Sequence, residues 1–221
     1  MAKALATARP FLLLSLFCGI SYITVVYNLF QPDGIQNMAW KSAGVALLAL
    51  YAIRRLGLPS ALPIASIMAF GAIGDALVEI DLMWGAISFF IGHVIAIIFY
   101  ARHRREKLTL SQKALAILVV PLTMYISWLL PTDRSEALGF AAYGASVAIM
   151  AAMAWTSNFP RYRVGMGAMM FVVSDLFIFA EVGPLSDNFI PNLLIWPLYY
   201  FGQFLICTGV VQTLHSRLHA A

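Results

Sequence analysis

The chain has 221 residues, 62% of them hydrophobic and 11% charged, with a formal net charge of +4. A soluble domain is about half apolar and carries about 25% charged residues. A soluble fold, a soluble domain on a single anchor and a nucleic-acid-binding basic protein are therefore excluded, because no polar stretch is long enough to form a domain and the cations sort by membrane side.

Each bilayer crossing needs about 20 apolar residues, with a range of roughly 17–25. Eight segments qualify in chain order: 10–30, 37–54, 60–80, 82–101, 112–130, 136–157, 164–182 and 190–214. The first follows Lys3 and Arg9 and looks in outline like a secretory signal. Its apolar run exceeds the ~7–15 residues of a signal core and no small-x-small cleavage site follows, so it reads as a retained helix. Pro32-Asp33-Gly34, Pro59, Pro131 and Pro160 punctuate the connections. Between the third and fourth segments only Glu79-Ile80-Asp81 supplies polarity. Pro121 and Pro197 read as the prolines interior to spans, and Cys18 and Cys207 as small packing residues without a disulfide or metal spacing.

The cations agree with eight crossings. Lys3, Arg9, Arg54, Arg55, Arg102, Arg104, Arg105, Lys107, Lys113, Arg161, Arg163 and Arg217 all fall on one side, Arg134 falls on the other, and Lys41 lies within a span. Positive residues favour the cytoplasm, so both termini are expected there, in a multi-pass protein of a bacterial inner membrane. Asp33, Glu79, Asp81, Asp133, Glu136, Glu181 and Asp187 collect at the opposite face, and Glu79, Asp81, Glu181 and Asp187 read as solvated loop charges. The expected fold is all-α: one integral membrane domain, 1–221, of eight transmembrane helices in contact with membrane lipids.

The halves carry an internal likeness. Ile73-Gly74-Asp75 matches Val173-Ser174-Asp175, and Phe89-Phe90-Ile91-Gly92-His93 matches Tyr199-Tyr200-Phe201-Gly202-Gln203. Four spans per half give parallel repeats, 1–108 and 109–221, whose shared site lies where the halves meet. The repeat would bring Asp75 and Asp175 to similar depth across a central cavity. At roughly 1.5 Å of rise per residue, Lys41 lies about one turn inside the outer boundary and the two aspartates one to two turns inside it. His93, Tyr199, Tyr200 and Gln203 lie nearer the middle.

Hydrocarbon does not solvate a carboxylate, so an ionisable group at such depth is a functional-site hypothesis by default. Asp75 and Asp175 are the candidate catalytic pair, with Lys41, His93, Tyr199, Tyr200 and Gln203 as substrate-binding candidates and no metal or cofactor implied. The bland alternatives are that Lys41 neutralises one aspartate as a structural ion pair, that His93 makes an interhelical hydrogen bond, and that the tyrosines pack.

Lys41, Gly74-Asp75-Ala76-Leu77, Phe89-Phe90-x-Gly92-His93 with Tyr100, Ser174-Asp175 and Tyr199-Tyr200-x-Gly202-Gln203 together resemble the YhhN-like family, which includes the lysoplasmalogenases. The family often has Lys-Pro where this chain has Lys41-Ser42. The resemblance runs over nearly the whole chain and implies eight spans. It also implies hydrolysis of the alkenyl ether bond of a lysophospholipid, lysoplasmenylethanolamine or lysoplasmenylcholine, to a fatty aldehyde and the glycerophospho-headgroup compound. Two carboxyl groups whose environments make one an acid and the other a base suit that reaction.

Two other classes compete. An intramembrane aspartyl protease requires Gly-x-Gly-Asp, but Ala72 stands at the first glycine position, and no Pro-Ala-Leu follows. A proton-coupled transporter of a small or lipid-like substrate would use repeats and intramembrane carboxylates, yet neither Pro121 nor Pro197 flanks an aspartate.

Overall fold

The computed structural model describes residues 2–220, with side chains from Thr7 onward; the side chain of Lys3, counted above with the cations, lies outside the described residues. Helices account for the regular structure, and no strand occurs among the described residues. In chain order they are α1 (Ala2–Ser21), a short α2 (Ile23–Val26), α3 (Gly34–Leu56), α4 (Leu58–Val78), α5 (Leu82–Arg102), α6 (Leu110–Leu129), α7 (Ala137–Thr156), a π-helical turn (Arg161–Gly165) leading into α8 (Met166–Glu181), and α9 (Ile190–Leu218).

Local chemistry sets the boundaries. Gly57 ends α3 at φ +76°, a conformation that favours glycine, and Pro59 opens α4. The sparse break after the third segment is real: α4 stops at Val78, and Asp81 Oδ1 accepts the backbone N–H groups of Met83 and Trp84 at 2.8 and 3.2 Å to start α5. Thr109 and Gln112 form a reciprocal capping box at the start of α6. Helix interiors hold Pro10 and Pro63 besides Pro121 and Pro197, which corrects the expectation of two. Pro63 lies in the second turn of α4, which begins at Leu58.

Seven helical segments are long and apolar enough to cross a membrane: Thr7–Val26, Leu58–Val78, Leu82–Arg102, Leu110–Leu129, Ala137–Thr156, Arg161–Glu181 and Ile190–Leu218. The protein is thus an all-α, multi-pass membrane protein. The remaining expected span corresponds to α3, which at 23 residues reaches about 34 Å, enough for a bilayer core of about 30 Å. Its first turns, with Asn37 and Lys41, make it the polar one. Outward faces are apolar where lipid would lie: Leu13 and Phe17 of α1 and Ile117, Leu118 and Leu122 of α6 are all exposed.

The chain divides into two compact units. The first comprises residues 1–96 and 206–221. In it α1 packs on α3 and α3 on α4. Ser15 Oγ donates to the Gly44 carbonyl at 2.6 Å and Cys207 Sγ to the Leu48 carbonyl at 3.4 Å, tying neighbours to α3. The second unit comprises residues 97–205, with α7 packed on α6 and α8. At one end Arg105 donates through its guanidinium to the carbonyls of Ser157 and Phe159 and clasps the α5–α6 connection to the turn after α7.

Each unit contains a close helix crossing built on glycine. In the first, a Cβ on Gly92 of α5 would lie 3.4 Å from Phe70 Cβ and 3.7 Å from the Ile67 carbonyl oxygen of α4. In the second, a Cβ on Gly202 of α9 would lie 3.5 Å from Met170 Cβ and 2.7 Å from the Gly167 carbonyl oxygen of α8. The partners correspond position for position, since Gly167 and Met170 stand 100 places after Ile67 and Phe70, and Gly202 stands 110 after Gly92. The second crossing is the tighter, backbone meeting backbone.

Candidate active site

In the first unit polar side chains gather where α3 begins and α4 ends. The single residue Gly57 between these helices makes them antiparallel neighbours, so the start of one meets the end of the other. There Lys41 Nζ pairs with Glu79 Oε1 at 2.5 Å, and Asn37 Nδ2 donates to Glu79 Oε2 at 2.6 Å. Tyr22, at the break between α1 and α2, donates its hydroxyl to Asn37 Oδ1 at 2.8 Å. Trp40 Nε1 donates to Ser21 Oγ at 3.0 Å and presents its ring edge-on to Tyr22.

Asp75 lies one turn deeper on α4, 2% exposed, within electrostatic reach of the Tyr22 phenol. It shares the Glu79 face of the helix through the i, i+4 relation. Lys41 therefore has Glu79, exposed just past the end of α4, as its ion-pair partner rather than an aspartate. The physical reason is reach: a lysine stem extends toward the wetter end of the helix pair, where Glu79 sits, rather than toward the deeper aspartate.

Next to Asp75, Gly74 carries the ring of Phe89. A Cβ there would come within 2.8 Å of the ring atoms, so the α5 aromatic covers the turn that bears the carboxylate. Ser88 Oγ donates to the Phe70 carbonyl at 2.7 Å and holds α5 to α4. His93 is buried on α5 one turn beyond Phe89.

The second unit places Asp175 on α8, 4% exposed, where the Tyr143 hydroxyl of α7 donates to its carboxylate. The other oxygen, Oδ2, is buried and has no hydrogen-bond partner among the described residues. The preceding Ser174 donates to the Ile195 carbonyl at 2.9 Å and fixes α8 against α9. Tyr199 and Tyr200 of α9 are buried in an aromatic set, Tyr199 edge-on to Phe171 at 5.2 Å and Tyr200 stacked on Trp196 at 5.8 Å between centroids. Gln203 is buried one turn further along α9. Of the seven residues singled out from the sequence, Lys41, Asp75 and His93 belong to the first unit, and Asp175, Tyr199, Tyr200 and Gln203 to the second.

Sequence reasoning passed over Tyr143, Tyr22 and Asn37. A signal for Tyr143 exists: it is the one phenol in the small-residue stretch Ala141-Ala142-Tyr143-Gly144-Ala145-Ser146, where a polar tip needs a partner and small neighbours let one approach. Tyr22 and Asn37 carry no comparable mark. No group of three or more His, Cys, Asp and Glu side chains that would hold a metal ion occurs among the described residues.

Helices that cross a membrane several times, with two carboxylic acids buried within them, define a multi-pass membrane protein carrying intramembrane acidic sites. Residues 36–210 match the YhhN family model, well over half of the chain. The chain belongs to the YhhN family, the family of the lysoplasmalogenases. Comparison with curated proteins returns no match. Comparison with solved structures returns none either.

Proposed function

We propose that the protein hydrolyses the alkenyl ether bond of a lysoplasmalogen, lysoplasmenylethanolamine or lysoplasmenylcholine, in the bacterial inner membrane. The products are a fatty aldehyde and glycerophosphoethanolamine or glycerophosphocholine. The observation that carries this reading is the pair of carboxyl groups, Asp75 and Asp175, buried in apolar helices of a YhhN-family chain. Such burial is costly and needs a reason.

A vinyl ether is cleaved by protonation of the alkene carbon remote from its ether oxygen. The oxocarbenium ion so formed takes up water, and the hemiacetal collapses to aldehyde and alcohol. The reaction needs an acid that retains its proton, an anion that stabilises the cation, and a positioned water. Asp75 and Asp175 divide the first two tasks. Lys41, with its Glu79 partner, and His93 handle the headgroup or orient a carboxyl group. Tyr199, Tyr200 and Gln203 hold the water or the glycerol hydroxyl. No cofactor or metal enters the scheme. The matched glycine crossings of the two units support an internal duplication, and the length of α3 supports its service as the eighth crossing, with both termini cytoplasmic.

The test is incubation of the purified protein with alkenyl, alkyl and acyl lysolipids side by side. Aldehyde is expected from the alkenyl compound alone, with Asp75→Asn and Asp175→Asn each reducing the rate by about a hundredfold or more. Wild-type rates in both variants end the assignment. Proton-coupled uptake into liposomes without lipid cleavage transfers the protein to the transporter class.

A further inference from the structure

Asp175 is a carboxyl group with half of its hydrogen bonding complete. One oxygen accepts from the Tyr143 hydroxyl, while Oδ2 is buried without a partner among the described residues. No cation pairs with the group among the described residues. A carboxylate anion in such a setting would leave charge on an oxygen that nothing solvates, which burial heavily penalises. A neutral acid with its proton on Oδ2 avoids that cost and keeps the Tyr143 bond, because the remaining carbonyl oxygen still accepts. The hydrogen bond thus selects which oxygen bears the proton.

We propose that Asp175 is the proton donor of the site and that Tyr143 is the residue that positions it, holding one oxygen so that the proton is presented from the other. This rests on the hydrolytic reading above and divides the labour that reading leaves open. The Oδ2–H bond breaks and its proton forms a new C–H bond with the alkene carbon remote from the ether oxygen, using the π electrons of the double bond. Positive charge passes to the adjacent carbon and the ether oxygen. The carboxylate left on Asp175, stabilised by the Tyr143 O–H, then takes a proton from the incoming water as its oxygen bonds to the cationic carbon. Asp175 is restored. In the hemiacetal the hydroxyl proton moves to the glycerol oxygen as the carbon–oxygen bond breaks, so that one water is consumed per aldehyde and alcohol released.

The scheme is tested by infrared spectroscopy of the purified protein at neutral pH, combined with kinetics. The wild type is expected to show the carbonyl stretch of a protonated carboxylic acid that disappears in Asp175→Asn. That band should move to higher frequency in Tyr143→Phe, where the hydrogen bond is lost and the ring is kept. In turnover, Tyr143→Phe should lower kcat about tenfold or more, the worth of one hydrogen bond to a reacting group, with KM unchanged. Tyr125→Phe, an exposed phenol on α6, should alter neither readout. A protonated-acid band that survives Asp175→Asn, or that does not move in Tyr143→Phe, overturns the proposal. So does an unchanged kcat beside a shifted band. A wild type that releases no aldehyde refutes the hydrolytic reading instead, and the spectra still decide whether Asp175 holds a proton under Tyr143.

Discussion

Glu79 shows how much a single side chain at the end of a membrane helix can organise. It receives the Lys41 ammonium on one oxygen and the Asn37 amide on the other, so its two partners make different demands of it. Glu79→Gln removes the charge and keeps an acceptor for Asn37, whereas Glu79→Ala removes both. Glu79 is exposed beyond the end of α4, so water compensates for much of the loss of the pair. We expect Glu79→Gln to cost about 0.5 kcal/mol and Glu79→Ala about 1 kcal/mol, measured as reversible unfolding in detergent. Equal stability of Glu79→Ala and the wild type would show the network to be ornamental. Tyr22→Phe, which silences the last donor of the chain, should cost about 0.5–1.5 kcal/mol in the same assay.

Helices pair through glycine where their backbones come close, and the two units use equivalent positions with unequal tolerance. A methyl group at Gly202 would meet the Gly167 carbonyl oxygen at 2.7 Å, and a backbone atom in a packed helix does not yield cheaply. The corresponding methyl at Gly92 would stand 3.4 Å from Phe70 Cβ, close to ordinary contact. Gly202→Ala should therefore destabilise the protein by about 1–3 kcal/mol, and Gly92→Ala by clearly less. Gly139 of α7 has nothing within 4 Å, so Gly139→Ala should be neutral or stabilising by up to about 1 kcal/mol through helix propensity. Thermal melts of the three variants give the ordering; a Gly202→Ala variant as stable as Gly92→Ala would contradict the packing described here. The same element-scale view explains Phe89, which lies on Gly74 and covers the turn that bears Asp75.

For the molecule as a whole the decisive quantity is the number of crossings, because it sets which loops share a side. If α3 crosses with the seven more apolar helices, the α5–α6 connection faces the cytoplasm and the α8–α9 connection faces outward. With Cys18 and Cys207 replaced by alanine, Glu106→Cys should resist a membrane-impermeant thiol reagent in intact cells and react only after permeabilisation. Asp187→Cys should react in both. Labelling of both positions from outside would remove the eight-crossing reading and, with it, the cytoplasmic placement of both termini.

The apolar runs, their breaks and the burial of Asp75 and Asp175 were legible in the chain itself, since they depend on local composition measured against a fixed bilayer thickness. Even the short break near residue 80 was marked, because Asp81 caps the next helix from within its own turn. Partnerships were not legible. Lys41 with Glu79 and Tyr143 with Asp175 join residues on different helices, 38 and 32 positions apart, and apolar helix faces say little about which neighbour each will meet. Composition decided that acids lie in the membrane; the packing of α3 on α4 and of α7 on α8 decided what each faces, because only packing brings distant donors within hydrogen-bond reach.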